Sequence, residues 1–387
     1  MLSVHESGVW MKIAVLGTIN YDTIIADDGR STSSLGGIVY NVLSLAYLDS
    51  RITICPVAWV GEDRRAELFD LFAPHANIDT SGIRANPSGT NENTLVYRVS
   101  RAQRSVAASG VEAVSGTDRS GESGTEVLSE SRTEVLGESR TEVLSGSRTE
   151  VLSGSRTEVL SERVPQISYE MAAPFLDADA ILLNFISGRD VDGEVVEAIR
   201  RDTDAVVAID VHSLSLGIAA DGSRFPRRIE DWEIYPRSAD IVQCNALELS
   251  LLFGDRLLAD GALDEAARRV LGTGARVVAL TLGARGSIVF EMRERRAIRY
   301  RVPPLEVDAV DTTGCGDTYG AAFMLEYLRT GDAGQAGALA SAAAGLCATV
   351  SGVEGMEVVR SAATLQETIF GERDSDTDPR RLEEQIP

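Results

Sequence analysis

The run Asp311-Thr312-Thr313-Gly314-Cys315-Gly316-Asp317-Thr318 joins two glycines and a carboxylate to the small-residue stretch Tyr319-Gly320-Ala321-Ala322-Phe323. Two glycines around a small residue leave backbone N–H groups able to converge on an anion. The apolar stretch behind them reads as a helix, which sets the loop at a positive helix end. Asp317 stands where loop becomes helix. A carboxylate beside a phosphate cradle is repelled unless it has a chemical task. The natural task is to take a proton from a hydroxyl that attacks a phosphate. The same residues also describe a glycine-rich turn with an N-capping aspartate. Taken alone, the two readings stand level, because short motifs match by chance.

Five further groups accompany this run in order along the chain. They are Asn20-Tyr21-Asp22, Gly36-Gly37-Ile38-Val39-Tyr40-Asn41, Gly61-Glu62-Asp63, Asn245-Ala246-Leu247-Glu248 and Thr281-Leu282-Gly283-Ala284-Arg285-Gly286. The ordered set resembles the PfkB carbohydrate kinases of the ribokinase-like superfamily, over about residues 11 to 370 with one insertion excluded. The resemblance implies a ribokinase-like three-layer α/β/α fold, with a mostly parallel central sheet and a small β-sheet lid. It implies ATP-dependent phosphorylation of a hydroxymethyl group on a sugar or sugar-like molecule. A nucleoside kinase on the same fold is the alternative, and a non-catalytic sugar-binding regulator is a third reading, disfavoured by Asp317 and the intact cradle.

Roles follow from the resemblance residue by residue. Asp317 is the general base, and the amides of Gly314, Cys315 and Gly316 form an anion hole. Cys315 stands where the family usually has Ala, which leaves its backbone N–H available. Asn20, Asp22, Gly37 and Asn41 match positions that hold sugar hydroxyls. Asn245, Thr281, Gly283 and Gly286 match the ATP side. Glu248 is linked to Mg²⁺, acting partly through water, a mode that suits a cation reluctant to shed its hydration. Asn245 and Glu248 also have the spacing of a helix N-cap and capping box. Asp311 and Thr313 fall where relatives hold a monovalent cation such as K⁺. Such lids often pair between subunits, so a homodimer through the lid is expected.

The acceptor side departs from the family pattern. The usual GGxGxN appears with Val39 in place of its third glycine and Tyr40 beside it, and Ala66 replaces a glycine three residues after Asp63. Tyr40 either packs within its helix, as aromatic residues at helical spacing usually do, or shapes an acceptor pocket unlike that for ribose.

Composition narrows the partners. The 387-residue chain is 44% hydrophobic and can bury a sizeable core. Its formal net charge of -22 argues against nucleic acid, which selects a basic face. Lys12 is the only lysine among 37 basic residues, a balance found in proteins of salt-rich cells or of GC-rich genomes. The sequence carries neither a run of about 18 apolar residues, as a membrane span requires, nor a secretory leader pattern. Cys55, Cys244, Cys315 and Cys347 lack metal-ligand spacing and suit reduced thiols in a cytoplasm.

The elements that must position these residues alternate in kind. Met11–Gly17 and Ile52–Val60 read as buried strands. Further strands are expected at Ala180–Phe185, Ala205–Val211, Ile241–Cys244 and Val277–Leu282, with helices including Val191–Arg200, Ala246–Phe253 and Leu263–Leu271 between them. Such alternation predicts a parallel sheet covered on both faces. Ile288–Val302 reads as a hairpin, followed by helical runs at Gly314–Leu328 and Ala333–Val350. The lid is expected from about residues 21–34 and 93–100, and a helical pattern opens at Gly36-Gly37 and runs through Leu48. Residues 1–10 read as an N-terminal extension, with Met11 an alternative start, and residues 371–387 as a disordered tail.

A low-complexity insertion, about residues 102–163, holds five octads with Thr-Glu-Val-Leu at 125–128, 133–136, 141–144, 149–152 and 157–160. Eight residues make ~800° of α-helix, so no apolar stripe persists. As a strand, the even period would hold Val on one face and Leu on the other. Disorder is the other reading, since two apolar residues in eight bury little. The insertion follows the expected 93–100 lid strand, where it would either lengthen the lid or extend from it; if it is passive, deletion of residues 123–162 leaves activity nearly intact.

Overall fold

The computed structural model describes residues 11–25, 29–98, 155–253, 260–294, 296–371 and 384–385. The chain divides into a unit of residues 1–96 and 157–387 and a second unit, 97–156, of which only residues 97–98 and 155–156 are described. Most of the octad insertion, the first ten residues and most of the tail lie outside the described residues.

The first unit begins with β1 (Lys12–Gly17), β2 (Ile19–Ile25), β3 (Ser31–Gly37), α1 (Val39–Leu48), β4 (Thr53–Gly61), α2 (Arg65–Phe72), β5 (Ile83–Asn86) and β6 (Asn91–Arg98). After the insertion come β7 (Ser155–Leu160), β8 (Ala180–Asn184), α3 (Gly193–Asp202), β9 (Val206–Asp210), β10 (Leu216–Ile218), β11 (Arg224–Pro226) and β12 (Ile241–Asn245). The chain continues through α4 (Ala246–Phe253), α5 (Asp260–Gly272), β13 (Val277–Thr281), β14 (Ser287–Arg293), β15 (Arg296–Val302), α6 (Cys315–Thr330), α7 (Ala333–Cys347), α8 (Ala362–Gly371) and β16 (Glu384–Gln385).

The main sheet has the order β16-β15-β14-β13-β12-β9-β8-β1-β4-β5. From β13 to β5 all neighbours pair in parallel, and β14 and β15 add the predicted hairpin at one edge. Strand residues divide between two cores according to the period of two. In β1, Ile13 and Val15 join the core under α1, α6 and α7, while Ala14 and Leu16 join the core under α3 and α5. This is the α/β/α layering expected for apolar strands buried on both faces. The chain runs from β1 outward through β4 to β5, then returns to build β8, β9, β12 and β13 on the other side. The switch point therefore falls between β1 and β8, where open α/β sheets form a ligand crevice beyond their strand C-termini.

A second sheet has the order β3-β2-β6-β7. It differs from the expected lid in three ways. The 21–34 segment contributes to two antiparallel strands, β2 and β3. Gly36 and Gly37 end β3 instead of opening α1, which starts at Val39 because Gly37 bends the chain with φ +65. The last octad, Thr157–Leu160, is part of β7, with Leu160 2% exposed and Val159 44% exposed. That one copy therefore shows the alternation that an even period allows. In the tail, Glu384–Gln385 pairs with β15 as β16.

Candidate active site

The glycine turn expected to carry the chemistry is built from α6 and the loop before it. Gly314 caps the helix with φ +79, a left-handed conformation natural to glycine. A Cβ there would lie 2.2 Å from Cδ1 of Tyr40, so the Tyr40 ring is packed directly against the turn. Tyr40 is 1% exposed, and burial first, then nearby Asp22, Cys347, Asp311 and Asp317, push its phenol far above the usual range. Tyr40 thus serves as the floor of the catalytic turn, which answers the packing question the sequence left open.

The amides of Gly314 and Gly316 have no hydrogen-bond partner among the described residues, as expected for a helix start. The Cys315 amide donates to Thr312 O at 3.3 Å, so of the three amides expected to face an anion it alone has a partner. The Cys315 thiol contacts that of Cys347, and this contact, with burial, pushes Cys315 up while holding Cys347 down. All four cysteines are free.

Asp317 is 6% exposed and held by amides from distant strands and helices. Asn184, the last residue of β8, donates from Nδ2 to Asp317 Oδ1 at 2.7 Å and to Asn41 Oδ1 at 3.0 Å. Asn41 donates from Nδ2 to the Asp317 carbonyl at 2.8 Å. Gln243 of β12 donates to the Gly316 carbonyl at 2.8 Å. The side chain of Asn41, which the resemblance matches to a sugar-binding position, is hydrogen-bonded at both ends to groups around the turn.

The strand C-termini place a polar row beneath this turn. Gly17 pairs with Asn184, Asn184 with Asp210, Asp210 with Gln243, and Asn245 with Thr281. Asp210 is 3% exposed; burial first, then the charges of Glu248 and Asp317, push its carboxyl well above the usual carboxylate range. Asn245 and Glu248 form a reciprocal capping box on α4, with Asn245 N–H on Glu248 Oε2 at 2.8 Å and Glu248 N–H on Asn245 Oδ1 at 2.9 Å. Gly283 and Gly286 lie in the turn from β13 to β14. In the loop before α6, Thr313 N–H donates to Asp311 Oδ1 at 2.9 Å, and Thr313 Oγ1 is buried without a partner.

On the lid side, Asn20 and Asp22 are buried on β2, at 2% and 4% exposure. Asn93 of β6 stands opposite Asp22 in register and donates to its Oδ1 at 3.1 Å. Gly37 comes so close to the β1–β2 junction that a Cβ would lie 2.2 Å from Thr18 O. Asp63 of the third motif is structural: its Oδ1 accepts from the N–H and hydroxyl of Thr90 at 3.0 and 3.1 Å.

Sequence reasoning missed Asn93, Asn184, Asp210 and Gln243. Asn184, Asp210 and Gln243 are polar residues inside strands expected from their apolar runs, and Asn93 opens the expected 93–100 lid strand. Their convergence depends on strand order, which no local pattern reports.

The strand order and the separate small sheet define a three-layer α/β/α scaffold of the ribokinase-like kind, with the glycine turn near the sheet switch point. Residues 229–358 match the model described as pfkB family carbohydrate kinase. That segment, about a third of the chain, holds the capping box, the β13–β14 turn and the glycine turn before α6. A ribokinase of Arabidopsis thaliana is 34% identical over 115 residues, covering 30% of this chain and 30% of that relative's length. Among solved structures, a sulfate complex of a pyrophosphate-dependent kinase in the ribokinase family superposes with TM-score 0.66 at 16% identity, covering 90% of this chain and 99% of the other. Arabidopsis thaliana ribokinase with ribose and ATP gives TM-score 0.61 at 18% identity, covering 93% and 99%. Among the described residues no helix is long and apolar enough to cross a membrane.

Proposed function

We propose that this protein is an ATP-dependent kinase that phosphorylates a hydroxyl of a small sugar-like molecule. The observation that carries this reading is Asp317, a buried carboxylate oriented by Asn184 beside two unpartnered glycine amides at the start of a 16-residue helix. A carboxylate in that position serves as the base for an attacking hydroxyl. The Gly314 and Gly316 amides, aided by the positive helix end, would stabilise charge that grows on the transferred phosphoryl group. Asn41, Asn184 and Gln243 hold base and amides in one fixed relation, so little reorganisation accompanies transfer.

A nucleotide-bound Mg²⁺ would neutralise charge on the phosphates. Glu248 and Asp210 are the carboxylates that would meet it through water; among the described residues no group of three or more His, Cys, Asp or Glu gathers as a metal site, which suits a cation that keeps most of its waters. The partnerless Thr313 Oγ1 beside Asp311 fits a monovalent cation such as K⁺. Nucleoside phosphorylation is the alternative on this scaffold. The test is a coupled ADP assay over ribose, fructose, 2-keto-3-deoxygluconate, adenosine, cytidine and myo-inositol. Turnover with a sugar or polyol supports the reading; turnover with nucleosides alone selects the alternative, and no turnover with any acceptor rejects both.

A further inference from the structure

Arg224 of β11 buries its guanidinium, with the side chain 4% exposed. Nη1 donates to the Ser187 carbonyl at 2.7 Å. Nε and Nη2 are buried without a hydrogen-bond partner. Those two nitrogens form one edge of the guanidinium, and that edge matches the two oxygens of a single carboxylate through parallel N–H donation. Glu158 of β7 approaches it, with Oε1 4.0 Å from Nε, close enough to attract and too far to accept a hydrogen bond. A buried charged donor left unpaired costs more than a neutral one. The edge therefore lacks an acceptor.

Room for one lies alongside. A cavity of about 410 Å³ is lined in part by Thr18, Asn91, Leu160, Ser187, Arg189 and Ile218. Two of these residues adjoin Arg224: Ser187 accepts its hydrogen bond, and Ile218 is its cross-strand partner on β10. Leu160 N–H donates to Gly222 O, which ties the last lid strand to the same hairpin. Arg224 thus stands in the cavity wall where β7 meets β11. Arg189 is paired with Glu162, so the open edge is that of Arg224. The charges of Glu158, Asp190 and Glu162 bear on Arg224 against that of Arg227. Such surroundings admit the single charge of a carboxylate more readily than the double charge of a phosphate.

We propose that the open edge of Arg224 is a binding site for the carboxylate of a small organic acid, which displaces Glu158 as it enters. The site stands apart from the kinase reading, because its test needs neither nucleotide nor turnover. Calorimetry on the full chain at constant ionic strength compares gluconate and acetate with sorbitol, which is uncharged, and with inorganic phosphate. At least one carboxylate should bind about tenfold or more tighter than sorbitol or phosphate. Arg224→Gln should weaken that carboxylate by about tenfold or more. Arg224→Lys should do nearly the same, because an ammonium keeps the charge and loses the edge. Glu158→Gln should act in the opposite direction and tighten binding severalfold, since the competing carboxylate is gone. Should the Arg224 variants fail to fold, the wild-type ratio and Glu158→Gln decide. Failure of both carboxylates to bind overturns the proposal. So does sorbitol or phosphate binding as tightly, folded Arg224 variants of wild-type affinity, or Glu158→Gln that fails to tighten binding. A coupled ADP assay then assigns the source of the carboxylate. Gluconate that is turned over makes it part of the acceptor; gluconate that binds and is never phosphorylated makes it a separate ligand and leaves the kinase reading unsupported by this site.

Discussion

The catalytic turn and the lid are built by different means. In the turn, Gly314 to Asp317 are neighbours in sequence, and the working groups are two backbone amides and one carboxylate at a helix start. In the lid, Asn20, Asp22 and Asn93 meet only because β2 pairs with β6, and β7 arrives from beyond the insertion. A backbone device keeps its pattern when side chains drift, so the segment matched to the pfkB family covers the turn, at residues 229–358, and stops short of the lid. Val39 and Tyr40, which depart from the usual pattern, lie on α1 between the two regions, and Tyr40 packs against Gly314. Chemistry and specificity can thus be separated on one scaffold.

The largest test of this contrast is Asp317→Asn. It should lower kcat by roughly 10²–10⁴-fold, with nucleotide affinity retained in a binding titration. Near-normal turnover would remove the turn from catalysis altogether. Gly314→Ala should come next, because it sets a Cβ against the Tyr40 ring at a positive φ. A loss of about 10²–10³-fold in kcat is expected from a displaced anion hole. Combining it with Tyr40→Ala should recover part of that loss, and absence of any recovery would refute the role of Tyr40 as the floor.

The lid half is tested by two deletions measured for acceptor KM. Removing residues 123–154 spares β7, and KM should stay within about twofold. Removing residues 123–162 takes away β7 with Leu160, and KM should rise by roughly tenfold or more. Equal behaviour of the two deletions would mean that β7 contributes nothing to the acceptor site. The smallest effect is expected for Asn245→Ala, which breaks the capping box and should cost about 1 kcal/mol of stability in denaturant unfolding. If kcat/KM for nucleotide then falls by more than the capping loss explains, Asn245 also contacts the donor.

Much of the scaffold was legible because strands buried on both faces and helices with apolar runs leave local signals. The parallel strands, the β14–β15 hairpin and the α6–α7 pair lie where periodicity sets them. The fourth lid strand was not legible, since two apolar residues per octad give a weak strand signal until β6 supplies the ladder. The capping box showed the opposite limit: sequence permitted both a cap and a cation role for Asn245 and Glu248, and the geometry displays the cap.

Residue order alone determined the phosphate-cradle turn, the carboxylate at its end and the alternation of strand and helix, because each depends on interactions within a few residues. Tertiary structure decided which amides hold Asp317, that Tyr40 lies beneath Gly314, and that one octad belongs to the lid. Those relations join residues more than 60 positions apart along the chain, as Asn93 to Asp22 at a separation of 71 and Asn41 to Asp317 at 276. Only strand order and helix packing bring such pairs within hydrogen-bond reach.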